Sequence, residues 1–328
     1  MMRWLLVVAI AVTAGVRTSG YSHFGTGVGT VRVHWEDAER VRWLAADRGA
    51  PGVSSAAMQA AVARAFDTWQ DVPTAAVAFE FGGFTLANPS DEDGLSVIGF
   101  ESHPEQERVL GATNFLYDEE TGELIEADIF FNSAFDWSTG SGGDPRRFDL
   151  ESIAVHEIGH FIGLGHSALG ETELRPDGSR RVIGSGAVMF PIALGNGSIA
   201  DRRLQPDDIA GVSDLYPTDA FESSTGGIRG RARHGDGPAL GAHIVVFNTR
   251  TGALVGGFAL GDDGEFQILG LTPGPYVVRV EPLDDADVDS FFSIEDIDID
   301  FQVTYYPRLV VAPSGGVGDR FDVSVRSK

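Results

Sequence analysis

The sequence predicts an α+β fold that continues into an all-β C-terminal part. Two observations carry this. Up to about residue 216, strand-like runs alternate with helical stretches in the order strand, helix, several strands, helix, looser segment, helix. Beyond Ile228 only short strand-like runs remain, punctuated by turn residues. A polar, glycine-containing connector, Thr218 to Gly227, separates the two textures.

Taken in order, Val28 to Trp35 has strand character, with Val31 and Val33 on one face and Arg32 and His34 on the other. Pro51-Gly52 marks a turn, after which Ser54 or Ser55 can cap a helix running to about Gln70. Met58, Val62, Ala65, Phe66 and Trp69 recur at helical spacing and form its buried face. Ala76 to Phe81 and Leu95 to Phe100 read as strands. Gly111 to Tyr117 and Leu124 to Phe131 flank the turn Asp118-Glu119-Glu120-Thr121-Gly122 and read as a hairpin. Asp149 is placed to cap a helix that begins near Leu150.

That helix carries the most informative stretch, residues 156 to 166, which reads H-E-x-x-H-x-x-G-x-x-H. Each helical residue turns about 100° and rises about 1.5 Å. His156 and His160 therefore stack on one face, about 6 Å apart along the axis, within reach of a single ion. Glu157, rotated about 100° from His156, falls beside that ion, where it can accept a proton from a bound water. His166 would lie on the far side of a straight helix. The chain must turn between His160 and His166, and Gly163 can take the positive φ that such a turn requires. Three neutral imidazoles with one open position make a catalytic zinc site rather than a closed structural one. Three of the eight histidines in the chain fall in this window, which sets it apart from an ordinary polar helix face.

The stretch resembles the metzincin metalloproteases. Ala187-Val188-Met189-Phe190-Pro191 is similar to the family's Met-turn, in which a methionine packs beneath the zinc. Ser167 after the third histidine, and Leu204 through Pro217 as a C-terminal helix, resemble the matrixin branch in its bacterial form. The resemblance implies a twisted mixed sheet with two main helices plus a C-terminal helix. It also implies one catalytic Zn2+ on His156, His160 and His166, Glu157 as general base, and a structural role for Met189. Glu126 to Asn132, running on to Trp137, resembles the edge strand before the zinc helix, along which the family lays an extended substrate. Animal matrixins carry further histidines there for a second zinc. This region offers only His103, so no structural zinc is expected. Calcium could be taken by Asp118, Glu119, Glu120 or Asp128, although a solvated turn is the preferred reading of the first three, and D-x-D-x-D-G spacing is absent.

A formal net charge of -24 argues against nucleic acid or an anionic membrane as partner. With no cysteine, disulfides, thiolate zinc sites and a cysteine-based latency switch are all excluded. Met1 to Ser19 has a positive start at Arg3 and an apolar core from Trp4 to Val16, the pattern of a signal peptide, with cleavage after Ala14 or, preferred here, Gly20. That core is short for a membrane span. A secreted bacterial monomer is expected, with a signal peptide at 1–20, a catalytic domain at 21–218, a linker at 219–226 and a sandwich at 227–328.

In the C-terminal part, Ile228 to Ala232, His243 to Phe247, Leu254 to Leu260, Glu265 to Leu269 and Tyr276 to Glu281 are strand-like. Turns fall at Asn248-Thr249-Arg250-Thr251-Gly252, Asp262-Asp263-Gly264 and Pro273-Gly274-Pro275. Ser290 to Tyr306 and Phe321 to Val325 supply closing strands, and the acidic run Asp284 to Asp300 reads as a solvated loop. Gly227-Ile228-Arg229-Gly230, Asp263-Gly264-Glu265-Phe266 and Leu271 through Tyr276 resemble the carboxypeptidase regulatory-like domain, a transthyretin-like sandwich. The whole reads as a secreted endopeptidase acting on protein or peptide substrates. The alternative is an extracellular adhesion or binding protein whose sandwich holds a surface, glycan or partner. A zinc hydrolase of non-peptide substrates is a third reading.

Overall fold

The structure is a computed structural model that describes residues 7–8, 23–25, 31–174, 180–283, 292 and 295–328. Most of the expected signal peptide, the start of the 28–35 strand and most of the acidic run 284–300 lie outside the described residues. No helix among the described residues is long and apolar enough to cross a membrane.

The first part is built on a six-stranded mixed sheet. Its strands are β1 (Val7–Val8), β2 (Val41–Ala46), β3 (Phe79–Thr85), β4 (Val97–Glu101), β5 (Gly111–Tyr117) and β6 (Leu124–Asn132). The order across the sheet is β1-β5-β6-β4-β2-β3. Strands β3, β2, β4 and β6 run parallel to their neighbours, whereas β5 folds back antiparallel on β6. The parallel strands β2 and β3 need a crossover, which is helix α1 (Ser55–Gln70). Ser54 caps it by accepting from Ala57 N at 3.2 Å, and Met58, Ala61, Val62, Ala65, Phe66 and Trp69 are buried, the face expected from helical spacing.

After two short strands, β7 (Trp137–Ser138) and β8 (Phe148–Asp149), comes helix α2 (Leu150–Phe161). Asp149 caps it, its Oδ1 accepting from Ser152 N at 2.9 Å. The same carboxylate is gripped by the Arg202 guanidinium at 2.8 and 2.5 Å, which fixes the helix entry with a two-pronged charged bond. Trp69 Nε1 donates to Val155 O at 2.8 Å and ties α1 to α2 over a core that includes Trp43, Ile98, Phe131 and Phe161. A hairpin, β9 (Gly170–Leu174) and β10 (Arg180–Ser185), fills the segment read as loose in the sequence. Helix α3 (Pro206–Leu215) follows, with α4 (Asp219–Ser224) behind it.

Three expectations are corrected. Glu126 to Asn132 is not an edge: β6 lies between β5 and β4 and is buried over most of its length. Its nearly continuous apolar run, Ala127 to Phe131 interrupted only by Asp128, is the mark of a strand covered on both faces. On the side of the sheet beside α2, β5 lies between β6 and the two-residue strand β1, which pairs along its outer side. Second, Val31 to Trp35 forms isolated bridges at Arg32 and His34 rather than a ladder, and the first long strand is β2. Third, the expected connector contains α4, because Thr218 caps it and Phe221 is buried beneath it.

The C-terminal part pairs two sheets. One contains β11 (Gly226–His234), β12 (Gly237–Pro238), β15 (Glu265–Leu271) and β19 (Phe321–Val325). The other contains β13 (His243–Asn248), β14 (Leu254–Phe258), β16 (Gly274–Glu281), β17 (Thr304–Tyr305) and β18 (Val310–Ala312). Ile228, Ile244, Val246, Phe266, Ile268, Tyr276, Val278, Phe301 and Val323 form their shared core, which also takes in Ala210 of α3. A second apolar contact joins Leu169 and Ala187 to Val245 and Leu254.

Phe66→Ala, which empties a fully packed site between Trp43, Phe79 and Phe161, is expected to cost about 3–5 kcal/mol in denaturant unfolding. Leu86→Ala, at a side chain 81% exposed, is expected to cost under about 0.5 kcal/mol. Equal losses would contradict the placement of this core.

Candidate metal centre

Helix α2 presents His156 and His160 on one face, and the chain then leaves the helix at Ile162. Gly163 takes φ of +97°, as the spacing requires, and a Cβ there would run into the carbonyl oxygen of Val33. Gly163 N donates to His160 O at 2.9 Å and Leu164 N to Gly159 O at 2.9 Å, closing the helix end. Phe24 N in turn donates to Gly163 O at 3.0 Å, so an N-terminal segment buttresses the turn from outside.

This turn returns His166 to the first two histidines. One ring nitrogen from each of the three lies within 4.8 Å of the others, the one His, Cys, Asp or Glu group among the described residues arranged to hold an ion. His160 Nε2 and His166 Nε2 are 3.2 Å apart. Two ligands about 2.0–2.1 Å from a tetrahedral zinc stand about 3.3 Å from each other, so the spacing suits that ion. The outer nitrogens fix the tautomers: His156 Nδ1 donates to Val188 O at 2.7 Å, and His160 Nδ1 to Leu164 O at 2.8 Å. Both Nε2 atoms are thereby left as acceptors facing the centre. Burial holds His156 below the ordinary imidazole range. It holds His160 further below, with the charges of His166 and His156 adding to the effect. Neutral imidazoles are the form a metal needs.

Glu157 is buried beside this cluster. Thr113 on β5 donates its hydroxyl to Glu157 Oε2 at 2.8 Å and leans on Glu157 O at 3.0 Å. Burial pushes the carboxyl up to about 7, and the Thr113 bond opposes that rise. Met189 packs under α2 at Gly159, where any Cβ would collide with its sulfur. The turn around Met189 is held by Asp208, whose carboxylate accepts from Val188 N at 2.9 Å, Met189 N at 3.1 Å and Gln205 N at 2.8 Å. Asp207, its neighbour, accepts from Ser167 Oγ at 2.6 Å and Gly256 N at 2.8 Å. Burial pushes both carboxyls up, Asp207 to about 7 and Asp208 to about 6.

Two other acidic residues singled out in the sequence serve backbone amides. Asp118 accepts from Glu120 N and Thr121 N at 2.9 Å and closes the β5–β6 turn. Asp128 is buried and accepts from Ser90 N and Val97 N at 2.8 and 2.7 Å. His103 sits between Glu101 and Glu105, at 3.1 and 3.2 Å. Sequence reasoning missed Thr113, Asp207 and Asp208. Apart from Gln205 beside Asp208, their partners lie 19 to 49 residues away, where spacing along the chain gives no signal.

Three convergent imidazoles thus lie beside a buried carboxylate, in an arrangement that could hold a metal ion. The model of the matrixin family, Peptidase_M10, matches residues 34–177, and the chain carries a matrixin domain there. Among curated proteins, the chain is 38% identical over 90 residues to metalloendoproteinase 5-MMP of Arabidopsis thaliana, covering 25% of this chain and 20% of that one. It is 32% identical over 164 residues to metalloendoproteinase 1-MMP of the same plant, covering 47% and 36%. The chain thus spans about a fifth to a third of the length of these relatives. A solved structure, the Bacillus anthracis TIE protein, aligns with 32% of this chain and 17% of its own at 13% identity, with a TM-score of 0.23, too slight to bear on the fold.

Gly163→Ala combines a strained φ with a collision against Val33 O. It is expected to lower stability by about 2 kcal/mol or more and to weaken zinc binding. Calorimetric zinc titration of the folded variant checks this, and wild-type affinity would contradict the role given to the turn.

Proposed function

We propose that the chain is a secreted zinc endopeptidase, with His156, His160 and His166 as ligands and Glu157 as general base. The observation that carries this reading is the convergence of the three imidazoles beside a buried carboxylate oriented by Thr113. Bound there, zinc would supply Lewis-acid polarisation of a scissile carbonyl and lower the pKa of water.

The protein residues divide the remaining work. Glu157 takes a proton from the attacking water and delivers it to the leaving amine. Burial raises the pKa of this carboxyl from its ordinary value, and a zinc ion bound beside it would pull it back down. Thr113 holds one carboxylate oxygen and leaves the other to meet the water. Because Thr113 belongs to β5, the strand that orients the base also offers the outer side, paired here by Val7–Val8, where an extended peptide would join by main-chain hydrogen bonds in place of those two residues. Substrate backbone and general base would then be set by one element. Pro191, Ile192 and Ala193, following the Met189 turn, would wall the pocket for the side chain after the scissile bond. The apolar stretch within residues 1–20, taken as a signal peptide, would direct export.

Glu157→Gln is expected to bind zinc as the wild type does while casein cleavage falls at least about a hundredfold. A chelator stops the wild type and added zinc restores it. Intact casein with zinc-loaded wild type at neutral pH, or undiminished cleavage by Glu157→Gln, would contradict the proposal.

A further inference from the structure

His156 and His160 ride on a rigid helix, but His166 rides on a loop, and its place must be set by what holds that loop. Ser167, the next residue, is held twice. Its N–H donates to Met189 O at 2.8 Å, and its hydroxyl donates to Asp207 Oδ2 at 2.6 Å. Asp207 is 1% exposed, and its other oxygen, Oδ1, accepts from Gly256 N at 2.8 Å. Gly256 lies on β14, the edge strand of the second C-terminal sheet. A chain of hydrogen bonds therefore runs from the sandwich backbone, through one buried carboxylate, to the residue beside the third histidine.

The surrounding packing is fitted to this bond. A Cβ at Gly256 would come within 2.7 Å of His243 Nε2 and 3.0 Å of Leu169 Cγ, so glycine permits the close approach of β14 to the histidine loop. Leu169 and Ala187 pack on Val245 and Leu254 around it. One turn of α3 thus carries two buried acids with separate duties. Asp208 holds the Met189 turn from within the first part, whereas Asp207 holds the His166 loop and is itself oriented by the sandwich.

We propose that the C-terminal sandwich is a working part of the metal centre, and that Asp207, clamped between Gly256 N–H and Ser167 Oγ, is a positioning residue for His166. This rests on the reading of the three histidines as zinc ligands. It gives the sandwich a task distinct from holding a surface or spacing the catalytic part.

The test is zinc affinity by chelator competition in the full chain, together with the unfolding temperature of each zinc-free variant. Gly256→Ala, which wedges β14 off the loop, and Ser167→Ala, which removes the link to Asp207, are each expected to weaken zinc binding about tenfold or more. Asp207→Ala should do the same. Asp207→Asn keeps the shape and an acceptor for Gly256 N–H, and should stay close to wild type. Lowered unfolding temperatures with wild-type zinc affinity in Gly256→Ala and Ser167→Ala would overturn the proposal and leave the sandwich a purely stabilising module. Should Asp207→Ala fail to fold, those two variants decide. Zinc affinity is read without proteolysis, so a wild type that cuts no casein but shows these shifts would remove the endopeptidase reading and leave the clamp standing.

Discussion

The centre depends on one constraint: a third imidazole must leave a helix and return to the face it left. A helix can align His156 and His160 but not His166. The positive φ at Gly163 reverses the chain, and nearly everything around it then secures that reversal. Val33 O closes off the space a side chain would need, Phe24 N bonds the turn from outside, and Leu164 O fixes the His160 ring. The fold beneath supplies rigidity, since α2 is tied at its start by Asp149 and Arg202 and along its length by Trp69.

A second constraint is electrostatic. The chain buries Glu157, Asp207 and Asp208 close to the histidines, and such burial is costly for a charge. Each acid is compensated by donors held in place by covalent or secondary structure: a β5 hydroxyl for Glu157, backbone amides of the Met189 turn for Asp208, and a sandwich amide with Ser167 for Asp207. These bonds join four distant segments of sequence. They make the geometry around the three histidines depend on segments well outside the eleven-residue motif.

The motif itself was legible because its logic is local. Helical spacing aligns two histidines, and a glycine marks the break. The face of α1 and the caps at Ser54 and Asp149 were legible for the same reason. What escaped depends on pairing. The β6 segment resembles the family's edge strand in sequence and in its place before the histidine helix, yet neither says which neighbour a strand takes. Its buried run, Ala127 to Phe131, was the available sign of an interior strand. Strand β2 was hidden by charges before it and at Arg42, which point outward. Asp207 sits in the first turn of α3, where acids are common, and only its contact with Gly256, 49 residues on, reveals another role.

The most direct test of the central claim is X-ray absorption at the zinc edge of the zinc-loaded full chain. The account predicts a first shell of three imidazole nitrogens at about 2.0–2.1 Å with one additional light ligand. A shell with fewer than three imidazoles, or with a protein carboxylate in place of His166, would contradict it.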